Sequence, residues 1–322
     1  MRINGALAVF GLVLAGLCSP AWALTNAEIS AQCVECHDED DLTDWSKTAH
    51  AVKKDKRTPT CVSCHGPSPT HIDKPEGVSK RPKPDVVFSR NGGAQPAERS
   101  EICMSCHDKD AKRAFWGGSQ HASADVACSS CHRIHTNEDR ALTKAGQVNL
   151  CYNCHKEQRA QVLKPSRHPI PEGKMTCADC HNVHGSAGPK LVKRDSANDT
   201  CYTCHAEKRG PFVFQHDPVV EDCSNCHNPH GSSIAALLTS RPPMLCQQCH
   251  TPHVAGEVGA LAGQRGVFTS PGAGQAPAVG ALSSGKNVVN LWQGRSCMNC
   301  HTQVHGSNNP SATNPTPQLL FR

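Results

Sequence analysis

Met175-Thr-Cys-Ala-Asp-Cys-His-Asn-Val-His-Gly185 contains Cys177, Cys180 and His181 as Cys-x-x-Cys-His, with a second histidine, His184, three residues further on. Two cysteines at this spacing can each close a thioether onto a haem vinyl group, and the adjoining histidine can bind the iron from one face. One such motif is suggestive. The chain has ten.

The others are Cys33, Cys36, His37; Cys61, Cys64, His65; Cys103, Cys106, His107; Cys128, Cys131, His132; and Cys151, Cys154, His155. After the quoted stretch come Cys201, Cys204, His205; Cys223, Cys226, His227; Cys246, Cys249, His250; and Cys297, Cys300, His301. The motifs take up all of the 21 cysteines except Cys18, which lies in the leader described below, so no thiol remains for a disulfide. Paired Cys-x-x-Cys elements also build four-cysteine zinc knuckles. Neither zinc nor a disulfide scaffold accounts for a histidine after every pair.

The motifs come two by two, an internal repeat of five haem-pair segments: 33–71, 103–135, 151–184, 201–230 and 246–305. The middle segments run as motif, lone histidine, motif, trailing histidine. His155, His168, His181, His184 match His205, His216, His227, His230, and His107, His121, His132, His135 match both. The first repeat departs by ending on His71, and the last by placing His253 early and His305 at its end.

Ten of the 20 histidines sit in motifs. The other ten, His50, His71, His121, His135, His168, His184, His216, His230, His253 and His305, match the haems in number and hold fixed places in the repeat. The expectation is ten covalent haems, all bis-histidine, with the motif histidines proximal and the spare ones distal. Methionine is badly placed to compete: Met104 and Met298 lie between the cysteines of their own motifs, and Met175 and Met244 two residues before one. Reach adds a constraint. Ligands on opposite haem faces need Cα atoms about 12 Å apart, while three residues span at most ~11 Å. His184 therefore cannot serve the iron of His181, and His135, His230 and His253 cannot serve the haems just before them. Each must cross to a neighbour. With every iron fully ligated no position remains for a substrate, which describes an electron carrier with no catalytic residues rather than a haem enzyme.

The remaining sequence is consistent with a chain built on haems. Residues 1–23 read as a secretory signal peptide: Arg2, an apolar run from Ala6 to Leu17, and Ala21-Trp22-Ala23 as the cleavage site. Leu17 is a poor fit to lipidation at Cys18. Residues 24–322 then form one domain, exported to an oxidising compartment. Aromatic residues are 4% of the chain and mean hydropathy is −0.48, too polar for an ordinary core. Short α-helices around the motifs, long irregular segments and little or no β-sheet are expected, in an elongated shape with the haems replacing the missing core. Residues 66–101, rich in Pro, Lys and Arg, and 251–296, rich in Gly and Ala, read as loops. The formal charge of +5 does not point to nucleic acid. Ten haems with their propionates add about −1 each, bringing the mature total to roughly −6. Lys53-Lys54-Asp55-Lys56-Arg57 and Asp38-Glu39-Asp40-Asp41 read as solvated faces.

Ten Cys-x-x-Cys-His motifs, paired and followed by trailing histidines between residues 33 and 305, resemble the MtrA/MtoA-type periplasmic decahaem cytochromes, which include the DmsE-like proteins. The resemblance implies a haem wire in the periplasm, associated with the outer membrane through a β-barrel porin partner. It would move electrons between periplasmic or inner-membrane multihaem cytochromes and extracellular iron, directly or through an extracellular cytochrome. Fe(II) oxidation is slightly favoured over Fe(III) reduction. By the same resemblance the N-terminal haems face the periplasm and the Cys297 haem the exterior, with the Gly/Ala-rich loop against the barrel or an outer cytochrome. Deleting residues 255–290 without loss of complex assembly would overturn that last placement. The alternatives are a diffusing periplasmic carrier feeding a nitrite or dimethyl sulfoxide reductase, and an open-haem enzyme.

Overall fold

The computed structural model describes residues 24–37, 42, 45–52, 55–89, 93–136, 138–250, 297–299 and 301–308. The leader, the Gly/Ala-rich loop, His253 and Cys300 lie outside them. Spatial contacts divide the chain into two portions, Met1–Ala94 and Gln95–Arg322. The first holds one haem-pair repeat and the second the other four.

The fold is a multihaem cytochrome c fold: short helices, irregular connections and, among the described residues, isolated β-bridges in place of a sheet. In the first portion α1 (Asn26–Cys33) runs into the first motif, α2 (Cys61–His65) is the second motif itself, and α3 (Pro69–Ile72) carries His71. The larger portion repeats this scheme. Its α4 (Pro96–His107), α7 (Lys144–Tyr152) and α10 (Ala197–Tyr202) each deliver the first motif of a repeat. Between them lie α5 (Gln120–Ser123), which carries His121, α8 (Lys156–Gln161), and the one-turn motif helices α6 (Cys128–Cys131) and α9 (Cys177–Cys180). Then follow α11 (Asp217–Glu221) and single 3₁₀ turns at Cys223–Asn225, Cys246–Gln248 and Cys297–Asn299.

Local chemistry explains these boundaries. Thr25 and Glu28 form a capping box at the start of α1, and the Thr143 and Ser196 hydroxyls accept from Gly146 N and Asp199 N to start α7 and α10. The Asp179 carboxylate accepts from Thr176 N at 2.7 Å before α9. Burial contributes little. Among the described residues the buried apolar side chains are Ala127, Val148 and Val162. At about 2 kcal/mol each at most, three small side chains cannot offset the conformational entropy of a chain this long. Something else must fill the interior.

Candidate haem sites

Each motif is wound into one helical turn. The amide of the motif histidine donates to the carbonyl of the first cysteine, for example His181 N to Cys177 O at 3.0 Å, His155 N to Cys151 O at 2.9 Å and His301 N to Cys297 O at 2.8 Å. That turn presents two sulfurs and one imidazole together, which five residues in extended conformation would not.

The two motifs of a repeat are joined at their first cysteines. The thiols of Cys33 and Cys61, Cys103 and Cys128, Cys151 and Cys177, Cys201 and Cys223, and Cys246 and Cys297 lie close enough to perturb one another's ionisation. The neighbouring thiol holds Cys128 at about 6 and Cys177 and Cys223 at about 7, below the ordinary thiol value, which favours the thiolate, the form that attacks a vinyl group. A side chain about one turn upstream of the first motif then caps the second. Ser30 Oγ accepts from Val62 N at 3.3 Å, Ser100 Oγ from Cys128 N at 3.3 Å, Gln147 Oε1 from Ala178 N at 3.2 Å and Asn198 Oδ1 from Cys223 N at 2.7 Å. Successive repeats also abut. Cys131 acts electrostatically on Cys151, Cys201 and Cys204 act on Cys180, and Cys249 acts on Cys226. Within residues 95–322 the motifs therefore follow one another in space as in sequence.

Motif histidines and spare histidines face one another in pairs. Ring centroids are 6.1 Å apart for His37 and His71, His132 and His184, His181 and His230, and His227 and His305. They are 6.0 Å apart for His121 and His155 and for His216 and His250, and 6.3 Å for His168 and His205. Two imidazoles on one metal, with metal–nitrogen bonds of about 2 Å and about 1.1 Å from nitrogen to ring centre, place their centroids ~6 Å apart. The residues present fit a six-coordinate haem iron. Burial holds His181, His184, His230 and His305 below the ordinary imidazole value, which favours the neutral ring that ligation requires.

His184 thus stands opposite His132 of the preceding repeat, while His181 of its own motif faces His230 of the following one. A reciprocal rule covers the larger portion. The lone histidine of one repeat (His121, His168, His216) faces the first motif of the next repeat (His155, His205, His250). The trailing histidine of that next repeat (His184, His230, His305) faces back to the second motif of the one before (His132, His181, His227). The two crossings are tied together. Nδ1 of His121, His168 and His216 donates to the carbonyl of Val183, Pro229 and Val304, each just before the trailing histidine, at 2.9, 2.8 and 2.9 Å. With Nδ1 satisfied by a carbonyl, Nε2 is the nitrogen left for metal.

His65, His71, His181 and His227 likewise donate from Nδ1 to the carbonyls of Val86, Pro82, Lys190 and Ala236. At His132 the partner is the Asp139 carboxylate, 2.5 Å away. His50, His65, His107, His135 and His301 have neighbours of their own. Trp45 lies 6.5 Å from His50 ring to ring, Phe88 meets His65 edge-on at 5.4 Å, and Arg113 Nε donates to His107 O at 3.2 Å.

Counting histidines does not reveal the groups that aim them. Asn182 Oδ1 and Asn228 Oδ1 accept from His184 N and His230 N at 3.3 and 3.1 Å. Their signal in the sequence is the recurring His-Asn-x-His-Gly of the third and fourth repeats. Lys190-Leu191 and Ala236-Leu237, at positive φ of 51, 60, 57 and 59°, turn the carbonyls toward His181 and His227. No glycine marks these turns, so pattern reading passes over them.

Family comparison agrees with this geometry. Residues 168–210 and 216–255 match the doubled CXXCH motif family, and residues 61–154 match the NrfB-like cytochrome c-type family. The chain is 40% identical over 286 residues to the multihaem cytochrome MtrA of Shewanella baltica, covering 87% of this chain and 78% of that protein. It is 28% identical over 156 residues to the cytochrome c-type protein NrfB of Haemophilus influenzae, covering 42% of this chain and 68% of the relative. Over 152 residues it is 27% identical to the high-molecular-weight cytochrome c of Nitratidesulfovibrio vulgaris, 46% of this chain and 24% of that one. The chain belongs to the MtrA family of multihaem c-type cytochromes, an electron-transfer protein whose haems are held covalently by its Cys-x-x-Cys-His motifs.

Proposed function

We propose that the chain holds ten haems, all bis-histidine, and conducts electrons across the outer membrane inside a β-barrel porin partner. Its contacts would be periplasmic or inner-membrane multihaem cytochromes on one side and extracellular iron on the other. The observation that carries this reading is the reciprocal crossing of histidines between repeats, with ring centroids 6.0–6.3 Å apart. Within residues 95–322 these ligand pairs are completed between repeats, so neighbouring sites are forced into contact. Bound haem supplies a one-electron iron couple, kept at low potential by two histidines where a methionine would raise it.

The chain's own groups then do three things. The paired first cysteines bring two attachment points side by side in every repeat. The Nδ1 bonds fix the rings of His121, His168, His181, His216 and His227, so little reorganisation accompanies a change of charge there. In seven pairs the facing imidazoles would hold haem iron from both sides, which favours electron transfer over substrate binding there. Among the described residues no helix is long and apolar enough to cross a membrane. A chain with so much irregular, polar backbone needs a protein wall between it and lipid, which a barrel supplies. The leader and the likeness to MtrA of Shewanella baltica support a periplasmic origin. Direction is left to the partners' potentials, since the same ligands serve flow either way.

The likeness to NrfB over residues 61–154 favours a second reading, a diffusing periplasmic carrier feeding a terminal reductase. Purification from its native membrane separates the two. Recovery with a barrel protein, ten haems per chain and a wholly low-spin ferric spectrum supports the conduit. Recovery alone from the periplasmic fraction supports the carrier, and a high-spin haem contradicts both.

A further inference from the structure

Resting on the bis-histidine reading above, we infer that Asp139 is a positioning residue that makes the haem held by His132 more reducing than those held by His181 and His227, an uphill step in the conductor. Where an Nδ1 partner is described for the second motif of the other repeats, it is a neutral backbone carbonyl: Val86 for His65, Lys190 for His181 and Ala236 for His227, at 3.0, 3.0 and 2.7 Å. At His132 it is a carboxylate, Asp139 Oδ2 at 2.5 Å. The two side chains are 28% and 13% exposed, so the pair is partly shielded from water.

The local chain explains the substitution. In the third and fourth repeats a left-handed turn, Lys190-Leu191 or Ala236-Leu237, swings a carbonyl onto the ring. In the second repeat Asp139 follows His132 by seven residues and its side chain takes that place. The carboxylate is itself aimed, since Oδ1 accepts from Ala141 N at 3.0 Å. The opposite ligand, His184, has Trp116 at 6.4 Å, its ring lies 6.1 Å from His132, and the Arg113–Asp110 ion pair acts on it with opposing charges. A second acid near a motif histidine does not do the same: Glu207 Oε1 is 3.9 Å from His205 Nδ1, beyond hydrogen-bonding distance, and 62% exposed.

A carboxylate accepting from Nδ1–H pushes electron density through the ring to Nε2. A richer donor stabilises the more positive oxidation state of the metal it binds, and charge-assisted hydrogen bonds are roughly twice as strong as neutral ones. The haem of His132 is therefore harder to reduce than those of His181 and His227. Because the step must be climbed in either direction, it limits rate without selecting direction.

The test is spectropotentiometry of the haem-loaded full chain with Asp139→Asn, which keeps shape and an acceptor but removes the charge. The expected result is that about one tenth of the haem absorbance becomes easier to reduce by about tenfold in its equilibrium, 59 mV for one electron. Glu207→Gln should leave the titration unchanged. A second measurement needs no variant: in the fully reduced, diamagnetic wild-type protein one histidine ring N–H proton should resonate well downfield of the others. An Asp139→Asn titration that overlays the wild type, or the absence of that proton, overturns the inference. Haem content and the low-spin signal, read on the same samples, report separately on the bis-histidine assignment.

Discussion

Gly231→Ala is the most informative single substitution. Gly231 follows His230 and sits at φ +148°, where an added Cβ would lie 2.1 Å from the Gln161 carbonyl oxygen and 2.9 Å from its carbon. Relieving that contact takes about 1 Å of backbone movement, half the length of a metal–nitrogen bond of about 2 Å. The surroundings resist it. Gln161 ends α8, the adjacent Val162 is buried, and Ser232 is bridged to Ser166 by two backbone hydrogen bonds of 3.1 and 2.8 Å. Backbone strain of about 1–3 kcal/mol and two weakened bonds at about 1 kcal/mol each give a total of roughly 3–5 kcal/mol. Gly173→Ala is the matched control: φ is +71° but nothing lies within 4 Å of the new Cβ, so only the strain applies. Thermal unfolding of the haem-loaded protein should show Gly231→Ala losing roughly twice as much as the control, at about 2–4 °C per kcal/mol. Its ferric spectrum should gain a high-spin component from one haem as His230 withdraws from the iron of His181. Equal melting points and an unchanged low-spin spectrum in both variants would refute the reasoning.

His184→Ala should open the iron of His132 rather than that of His181. Carbon monoxide should then bind one haem per chain, and that haem should be the one whose potential Asp139→Asn moves. The ring planes are nearly parallel in five pairs, at 12–25°, but cross at 79° for His121 and His155 and at 51° for His168 and His205. Electron paramagnetic resonance should therefore separate a strongly anisotropic low-spin minority from the ordinary low-spin majority. Chain made without haem should be protease-sensitive and lack cooperative melting, because the described apolar core is three small side chains.

Much of the architecture was legible because haem attachment is written locally. Cys-x-x-Cys-His needs one helical turn and no distant partner, so the motifs alone implied short helices with irregular connections. The reach of three residues was enough to rule His184 away from His181, but its destination depended on how the repeats dock. That docking rests on Gly231 passing beneath the Gln161 carbonyl and on the Nδ1 bond from His168 to Pro229, contacts separated by 70 and 61 residues for which the motif pattern has no sign. The tuning groups were harder still. A backbone carbonyl aimed by Lys190-Leu191 leaves no residue type to recognise, and Asp139 looks in sequence like any surface acid near a loop.

The most direct measurement of the conductor is reconstitution of the haem-loaded chain with its barrel partner in sealed liposomes holding an electron donor or acceptor dye. The account predicts that external Fe(III) drains electrons from the reduced dye, and external Fe(II) delivers them to the oxidised one, only when both proteins are present. A fully loaded, low-spin chain seated in the barrel that exchanges no faster than the barrel alone would contradict it.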